Sequence, residues 1–367
     1  MKVLHLISGG ETGGSKNHLL SLLHHMKQTE ILLGVFQEGK LSAEARELGI
    51  PTIVFGQNSR YDFSVLGKIK RTIKENHIQI VHTHGPRANL FAYFVRQMIS
   101  FKWITTIHSD PSQDFIKGGL KGKVFTGINM TVIKKIDHFF AVSERFKQML
   151  TGFGLQPEKI TTIYNGISFD KKLEANLTRT DLELNQEDFV ICMVARLHPI
   201  KGHTVVFDAL RKVLEKQESV KLLLIGDGPM RAELEAEVKA KGLDSAVRFL
   251  GFKEDVHSYL SVSDVKLLAS YSESFPLVIL EAARAKVPVI STDVGGVKDL
   301  ISDPSLGWVI PIKDADALAG AIVEAMEMKG KQSLKHIGVT LHDKASRLYS
   351  VDQLVTQTEN TYKKISS

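Results

Sequence analysis

Short apolar runs alternate with amphipathic helical patterns along nearly the whole chain. The run at 2–8, KVLHLIS, is typical of a buried strand, and a glycine-rich turn at 9–14 separates it from leucines at helical spacing. The first half continues with four more apolar runs: ILLGVFQ (31–37), IQIVHTHG (78–85), KWITTIHSD (102–110) and HFFAVSE (138–144). Strands that alternate with helices predict a parallel sheet with helices on both of its faces.

The second half repeats the same alternation after a polar segment. Six apolar runs predict strands: DFVICMVARL (188–197), VKLLLIGDGP (220–229), VRFLGF (247–252), VKLLAS (265–270), VPVIST (287–292) and GWVIP (307–311). The segment near 165–187 lacks a sustained apolar period, which predicts a linker. We therefore expect an N-terminal domain over 1–168 and a C-terminal domain over 169–345. A last helix over 346–367 is expected to pack back on the N-terminal domain.

This pattern predicts an α/β fold of two doubly wound, Rossmann-like domains that face each other across a cleft. Ligands of such sheets bind at the carboxyl ends of the strands, where loops and helix N-termini converge. Residues that carry chemistry should therefore lie directly after strands.

Composition narrows the class of protein. The 367 residues are 43% hydrophobic and 24% charged, as in an ordinary globular protein, and the single cysteine excludes an intramolecular disulfide. The apolar run at the N-terminus is too short for a signal peptide, and no run approaches 18 apolar residues, so we expect a cytoplasmic protein without a spanning helix.

Charge is unevenly distributed between the two halves. Residues 1–170 hold 21 Lys and Arg against 13 Asp and Glu, a net charge of +8, whereas 171–367 hold 26 against 28, a net charge of −2. A basic first half suggests an anionic partner: a phosphorylated ligand, an acidic membrane surface or a nucleic acid. A basic, well-solvated surface explains the same charge.

Two cations follow the first strand of the second half. Arg196 and Lys201 lie five positions apart in ARLHPIKG, and Gly202 lets the backbone approach a neighbour closely. Two side-chain cations at the end of a strand suit a diphosphate, because they neutralise it without a metal. Solvated loop cations remain the simpler reading of this pair alone.

Two carboxylates frame an apolar run in SESFPLVILEAARA (272–285). Glu273 follows a predicted strand, and Glu281 lies eight residues further on, within a helix expected to begin near Phe275. The free N–H groups of such a helix attract phosphate or sugar oxygens. Alternatively, Glu273 complements the helix dipole and Glu281 is an ordinary helical residue.

The ordered set of motifs resembles the retaining glycosyltransferases of family 4, which adopt the GT-B fold. ESFPLVILEAARAKVPVISTDVGG is similar to the E-x7-E region of that family and ARLHPIKG to its R-x4-K signature. Five further segments resemble family segments in the same order: GGETGGSKNH, AVSE, YNGI, IGDGP and LGFKEDV.

The resemblance implies roles for individual residues. Arg196 and Lys201 would bind the diphosphate of a nucleotide-sugar, most commonly UDP, and stabilise it as it leaves, with no metal and no cofactor. Glu281 would bind the ribose, and Glu273 would contact the transferred sugar. The remaining donor-binding residues implied are Gly13, Gly14, Phe252, Lys253, Ser274, Phe275, Pro276 and Leu277. Proline at 276 has no N–H to donate, which leaves the sugar preference open.

Three histidines of the first half are further candidates. The resemblance places His108, in TTIHSD, near the reacting sugar as a catalytic residue, although a lone histidine after a strand is more often structural. His82 and His84, in VHTHG, are interpreted as following a strand and are expected to line the acceptor cleft. Two histidines two apart suggest a metal, but no third ligand has suitable spacing in the sequence.

The implied activity is transfer of a hexose or N-acetylhexosamine to an acceptor hydroxyl in polysaccharide or glycolipid synthesis. A sugar-nucleotide epimerase of the same architecture and a basic nucleic-acid-binding protein are the alternatives; no nucleic-acid module is recognisable. A metal-dependent transferase would need an Asp-x-Asp sequence after a strand. The one match, at Asp314 and Asp316, is interpreted as the N-terminal cap of a late helix. Lysines interleave with apolar residues over 115–140, so the first domain could lie on an anionic membrane; a core-facing helix with its lysines in solvent is the simpler interpretation of the same pattern.

Overall fold

A computed structural model describes residues 1–11, 13–60, 62–115, 119–170, 173–215 and 219–366. Its internal contacts divide the chain into two compact units, of which the first is Met1–Ile167 with Val351–Ser367 and the second is Ser168–Ser350. Both units contain a parallel sheet with helices, so the predicted pair of Rossmann-like domains of the GT-B class is confirmed.

The first unit is built on a parallel sheet with the strand order β3-β2-β1-β4-β5-β6-β7. Its strands are β1 Lys2–Ile7, β2 Glu30–Val35, β3 Thr52–Val54, β4 Ile80–His84, β5 Lys102–Ile107, β6 His138–Ala141 and β7 Ile160–Thr162. Its helices are α1 Gly14–His25, α2 Lys40–Glu47, α3 Val65–Glu75, α4 Pro86–Arg96, α5 Gly119–Ile133 and α6 Glu144–Gly152. The sequence pattern missed the two edge strands β3 and β7, which have three residues each.

The last helix also belongs to the first unit. The helix α14, Val351–Ser366, begins where the backbone N–H of Val351 donates to the carbonyl oxygen of Ile167, 2.9 Å away. Leu354 and Tyr362 lie in the core beside β1 and α1. Apolar burial of this kind is what holds a terminal helix in place, since isolated helices are marginal in water.

The second unit has a parallel sheet with the strand order β10-β9-β8-β11-β12-β13. Its strands are β8 Phe189–Val194, β9 Val220–Ile225, β10 Val247–Gly251, β11 Val265–Leu268, β12 Val289–Thr292 and β13 Trp308–Ile310. Its helices are α7 His203–Leu214, α8 Arg231–Ala240, α9 Val256–Ser261, α10 Leu277–Arg284, α11 Val297–Leu300, α12 Ala315–Gly330 and α13 Leu334–Leu348. The chain winds outward from β8 to β10 and then returns to β11 on the other side of β8. The strand order therefore reverses between β8 and β11.

The polar segment expected to be a linker is partly ordered against the second unit. The guanidinium of Arg179 donates to the carbonyl oxygen of Asp188 and forms an ion pair with Asp264, each at 2.9 Å. Lys329 also pairs with the same carboxylate at 2.9 Å. The interpretation of Asp314 as a helix cap is confirmed, because its carboxylate accepts from the N–H of Ala317 at 2.8 Å.

Candidate functional site

The reversal between β8 and β11 places two loops side by side at the carboxyl end of the second sheet. One loop follows β8 and leads into α7, and the other follows β11 and leads into α10. A crevice opens at such a switch point because the crossover helices on its two sides leave in opposite directions. Half of the twelve donor-binding residues predicted from the sequence lie in these two loops.

The side chains of Lys201 and Glu273 meet across this switch point. The ammonium of Lys201 lies 2.6 Å from Oε1 of Glu273, and both side chains are less than one-fifth exposed. The hydroxyl of Ser270 donates to the same carboxylate oxygen at 2.6 Å. Two residues 72 positions apart in the sequence thus form an ion pair that is shielded from solvent and that Ser270 supports with a hydrogen bond.

Arg196 is positioned differently from Lys201. Its side chain is exposed, and among the described residues it has neither an ion pair nor a hydrogen bond. A guanidinium in that state keeps all its donors for a ligand, whereas Lys201 is already engaged by Glu273. The same loop therefore holds one cation that is ion-paired, Lys201, and one whose side chain has no ion pair among the described residues, Arg196.

Two glycines set the spacing of the loops. A Cβ at Gly202, where φ is +71°, would lie 2.2 Å from the carbonyl oxygen of Ala269 at the end of β11. A Cβ at Gly295, where φ is +50°, would lie 2.3 Å from the carbonyl oxygen of Ser274. The neighbouring Gly296 donates its N–H to that same oxygen at 2.9 Å. Both contacts require glycine, because any side chain would push the loops apart.

The helix after Glu273 begins later than the sequence suggested. Its first residue is Leu277 rather than Phe275, and Pro276 is its N-cap, in an extended conformation. The aromatic ring of Phe275 is buried and packs against Tyr349, with ring centroids 5.5 Å apart. Pro276 cannot donate a hydrogen bond, so Leu277 is the first helical residue with an N–H available to a ligand.

Behind the loops, a buried lysine lies under the acidic residues. Lys266, on β11, is fully buried, and its ammonium donates to the carbonyl oxygen of Leu267 at 2.6 Å. Burial lowers its pKa to about 8, although Glu281 and Glu273 favour the charged form. Burial also raises the pKa of Glu281, on α10, while Arg284 and Lys266 lower it. The sequence analysis did not single out Lys266, because a single lysine within an apolar run does not show whether its side chain is buried.

The remaining predicted residues of the second unit lie in loops at the same edge of the sheet. Gly228, in the IGDGP turn, fits directly against the backbone of Leu197, which would be 2.4 Å from a Cβ there. Phe252 and Lys253 follow β10, and the side chain of Phe252 is 70% exposed. A large exposed ring in a loop is available for a ligand or a partner.

In the first unit, Gly13 is the N-cap of α1 with φ +71°, and Gly14 is the first residue of that helix. Nothing lies within 4 Å of a Cβ at either position, so packing does not explain these two glycines. Open glycines at a helix N-terminus let a ligand come close to the backbone N–H groups.

His108 follows β5, as predicted, and is partly exposed. Its Nε2 lies 3.3 Å from Nδ1 of His84, and its ring packs edge-on against His18 at 5.2 Å between centroids. Burial lowers its pKa to about 4, so the imidazole is neutral at neutral pH. A neutral imidazole presents one donor and one acceptor.

Two expectations about His82 and His84 need correction. Both lie within β4 rather than after it and are buried, so neither is exposed in a loop. A third histidine does exist: the β1–β4 register places His5 beside His82, and the nitrogens of His5, His82 and His84 lie within 4.8 Å of one another. Strand pairing brings together residues that sequence spacing cannot relate. Their part in acceptor binding stays a prediction.

A small cavity beside His108 contains a carboxyl group that the sequence analysis missed. It is lined by the start of α4, by the end of β5 and by Asn129 of α5, and Asp114 borders it. Burial raises the pKa of Asp114, against the hydrogen bond from Ser109. Asp114 follows β5 by seven residues, and no motif marked it.

Comparison with protein families identifies the chain. Residues 175–338 match the family described as glycosyl transferases group 1, and residues 12–171 match the one described as glycosyltransferase family 4. The chain belongs to the family-4 glycosyltransferases. It is therefore an enzyme, and the two matched segments correspond to its two units.

Curated relatives and solved structures agree with this family. N-acetyl-alpha-D-glucosaminyl L-malate synthase of Bacillus anthracis is 27% identical over 82% of this chain and 79% of that protein. The galactosyltransferase of Escherichia coli named UDP-Gal:alpha-D-GlcNAc-diphosphoundecaprenol alpha-1,3-galactosyltransferase is 24% identical over 79% and 77%. The crystal structure of HepE from Anabaena with UDP-glucose has a TM-score of 0.85 at 22% identity, covering 99% of this chain and all of that one. Structural likeness at this identity shows the fold.

Proposed function

We propose that this glycosyltransferase moves a hexose or an N-acetylhexosamine from a UDP-sugar to an acceptor hydroxyl, with retention at the anomeric carbon and without a metal. The contact between Lys201 and Glu273 carries the proposal, because it joins a cation for phosphate to a carboxylate for sugar at the switch point of the sheet. The names of the relatives, one of which contains UDP-Gal, support a UDP-sugar donor. We further propose that the product belongs to polysaccharide or glycolipid synthesis.

The two cations have different tasks in this proposal. Arg196, with its donors uncommitted, takes the first contact with the diphosphate. Lys201 has three N–H donors, so it can hold a phosphate oxygen while it still bonds to Glu273. As the bond to the sugar breaks, negative charge grows on the diphosphate and both cations stabilise it. Glu273 faces the positive charge that develops on the sugar, and Glu281 binds the ribose.

Retention follows in this proposal from where the proton goes. The leaving phosphate accepts the proton of the acceptor hydroxyl on the face from which the donor bond breaks, so the new bond forms on that same face. No enzyme nucleophile is required, and positioning together with electrostatic stabilisation supplies the acceleration. The prediction that His108 lies near the reacting sugar belongs to the same mechanism.

A panel of UDP-, GDP- and ADP-sugars tests the donor. We expect one UDP-sugar to release UDP in the presence of acceptor extracts, with activity unchanged by EDTA. Lys201→Ala should abolish turnover, whereas Lys212→Ala, which removes an exposed ion pair between α7 and Asp316 of α12, should not. No release from any nucleotide-sugar would contradict the proposal, loss of activity in EDTA would contradict metal independence, and epimerised donor without acceptor would favour the epimerase alternative.

We also propose that α5 rests on an anionic membrane at its cytoplasmic face. Leu120, Val124 and Ile128 recur every four residues and are 83%, 63% and 41% exposed, so they form one apolar stripe on the helix. Lys121 and Lys123 flank the stripe and are exposed, and the helix contains no acidic residue. Ile116 and Lys117, which the sequence analysis included, lie outside the described residues. No helix in the described ranges is long and apolar enough to cross a bilayer.

Vesicle co-sedimentation tests this surface. Wild-type protein should sediment with vesicles that contain an anionic lipid at low salt, and high salt should release it. Leu120→Gln with Val124→Gln should abolish sedimentation, whereas Val339→Gln, at an exposed apolar position of α13, should not. Equal sedimentation of both variants, or none by the wild type at low salt, would refute the proposal.

A further inference from the structure

The first unit contains a continuous line of polar side chains that begins at His108 and ends inside the sheet. Nδ1 of His84 lies 3.3 Å from Nε2 of His108, and Nε2 of His84 lies 3.1 Å from Nδ1 of His5. Nε2 of His5 lies 3.2 Å from the hydroxyl of Tyr362, on the last helix. That hydroxyl also contacts Nδ1 of His82, whose Nε2 lies 2.7 Å from the hydroxyl of Thr106.

Ring orientation supports hydrogen bonds at the two steps between histidines. The ring planes of His5 and His84 are within 15° of parallel with centroids 5.4 Å apart, and those of His84 and His108 are within 27° at 5.6 Å. An imidazole N–H lies in the plane of its ring, so a nearly parallel neighbour at this distance can receive it along a lone pair. Of the line, only the His108 end is partly exposed.

All the imidazoles of the line are neutral at neutral pH. Burial lowers the pKa of His5 to about 3 and of His108 to about 4, and it lowers those of His82 and His84 well below their usual value. A neutral imidazole has one nitrogen that donates and one that accepts. A histidine that is bonded at both nitrogens must therefore donate toward one end of the line and accept from the other.

We propose that these groups form one hydrogen-bonded chain whose direction is shared, so that Tyr362 and the buried histidines set the tautomer of His108. The members of this histidine chain are, in order, His108, His84, His5, Tyr362, His82 and Thr106.

Two arrangements satisfy every link and also give the hydroxyl proton of Tyr362 an acceptor within the chain. If His108 donates from Nε2, then His84, His5 and His82 all carry their proton on Nε2, and Tyr362 donates to His82. If His108 accepts at Nε2, all four histidines carry the proton on Nδ1, and Tyr362 donates to His5. Any mixed set leaves two donors or two acceptors facing each other, or leaves the hydroxyl proton of Tyr362 without an acceptor in the chain, and either is costly in a buried site.

The consequence for the reaction rests on the proposed function of this enzyme. Since Nε2 of His108 is taken by His84, its Nδ1 is the nitrogen left to meet a ligand. The chain direction then decides whether His108 offers a donor or an acceptor to a sugar hydroxyl. Tyr362 would thus be a positioning residue for His108, although the two share no contact.

Nitrogen-15 NMR of the full-length protein tests the chain directly. Histidine-selective labelling with long-range proton–nitrogen correlation distinguishes the two tautomers, and single substitutions assign the signals. We expect His5, His82, His84 and His108 to share one tautomer in the protein without ligand. A mixed set would overturn the proposal, and so would retention of one zinc ion per chain after dialysis against a chelator, because a metal would occupy the lone pairs.

A substitution tests the coupling. Tyr362→Phe should separate His82 from His5 and change the tautomer signals of members that the hydroxyl does not touch, including His108. Tyr349→Phe, which removes the buried hydroxyl that donates to the carbonyl oxygen of Asp299 in the second unit, should leave all four unchanged. Unchanged His108 signals in folded Tyr362→Phe would refute the coupling. If that variant does not fold, the wild-type tautomer set still decides.

These results can be separated from those on activity. Uniform tautomers in a protein that transfers no sugar would leave the histidine chain intact and remove only its catalytic meaning. Mixed tautomers in an active transferase would remove the chain and leave the proposed function intact.

Discussion

Lys266→Met gives the sharpest test of the electrostatics beneath the site. Lys266, on β11, is fully buried, and its pKa is lowered from 10.5 to about 8, chiefly by burial. The difference of about 2.5 corresponds to about 3 kcal/mol at about 1.4 kcal/mol per pKa unit. Methionine has nearly the same shape as lysine without the charge, so the substitution removes this penalty with little change in packing.

The sign of the effect depends on pH. Below pH 8 both the folded and the unfolded chain carry the proton on Lys266, so the folded protein bears the full penalty. Between pH 8 and 10.5 the folded protein releases the proton first, and the penalty shrinks to nothing. The variant should therefore gain about 3 kcal/mol at pH 7, less the hydrogen bond to Leu267, worth about 1 kcal/mol. This gain over the wild type should fall by about 3 kcal/mol towards pH 10.5.

The measurement should report on the second unit alone, because two units can unfold separately. Urea unfolding followed by hydrogen exchange of peptides from β8 and β11 meets this need. Lys221→Met is the matched control, since the ammonium of Lys221 on β9 donates to the carbonyl oxygen of Ser245 at the surface. A difference between Lys266→Met and the wild type that stays constant from pH 7 to pH 10.5 would refute the reasoning.

Three other predictions concern the same unit. Gly202→Ala should destabilise the second unit by about 3 kcal/mol in urea unfolding, because the added Cβ would clash with the backbone at a positive φ. Gly10→Ala is the control: it has open space around it and should change the stability of its own unit by less than about 0.5 kcal/mol. Equal effects of the two substitutions would contradict the packing argument. Lys201→Ala should weaken binding of UDP in calorimetry roughly ten- to a hundredfold, the range for a charge-assisted hydrogen bond, and unchanged affinity would remove Lys201 from the phosphate site. Asp264→Ala leaves Arg179 and Lys329 without their shared carboxylate and should cost about 3 kcal/mol of stability by the same unfolding assay; a neutral result would show that this ion pair is solvated.

Local patterns were enough for much of the fold. Apolar runs predicted every strand that has four or more residues, and the helix cap at Asp314 followed from residue type alone. These features depend on neighbours within a few positions, which is what a single sequence displays. The predicted start of α10 was two residues too early. The chain is still extended at Pro276, which is the N-cap, and the helix begins at Leu277.

The candidate site was predicted as separate pieces. Arg196, Lys201 and Glu273 were each named, but each pattern alone fitted an ordinary residue better: solvated loop cations for the first two, and a carboxylate that complements a helix dipole for Glu273. The resemblance to a family supplied their roles, and the reversal of strand order between β8 and β11 supplied the contact between Lys201 and Glu273. The glycine pair after β12, Gly295 and Gly296, ends the segment that resembles the E-x7-E region, yet its contact with Ser274 could be seen only in the folded loops.

By itself, the sequence determined the alternation of strands and helices and the residue types at the strand ends, since both depend on local periodicity and turn chemistry. Tertiary structure alone decided which strands are neighbours, and with that the grouping of His5 with His82 and His84 and the burial of Lys266 beneath two acids. The physical reason is that sheet order is set by long crossovers. No local spacing encodes which side chains these crossovers bring together.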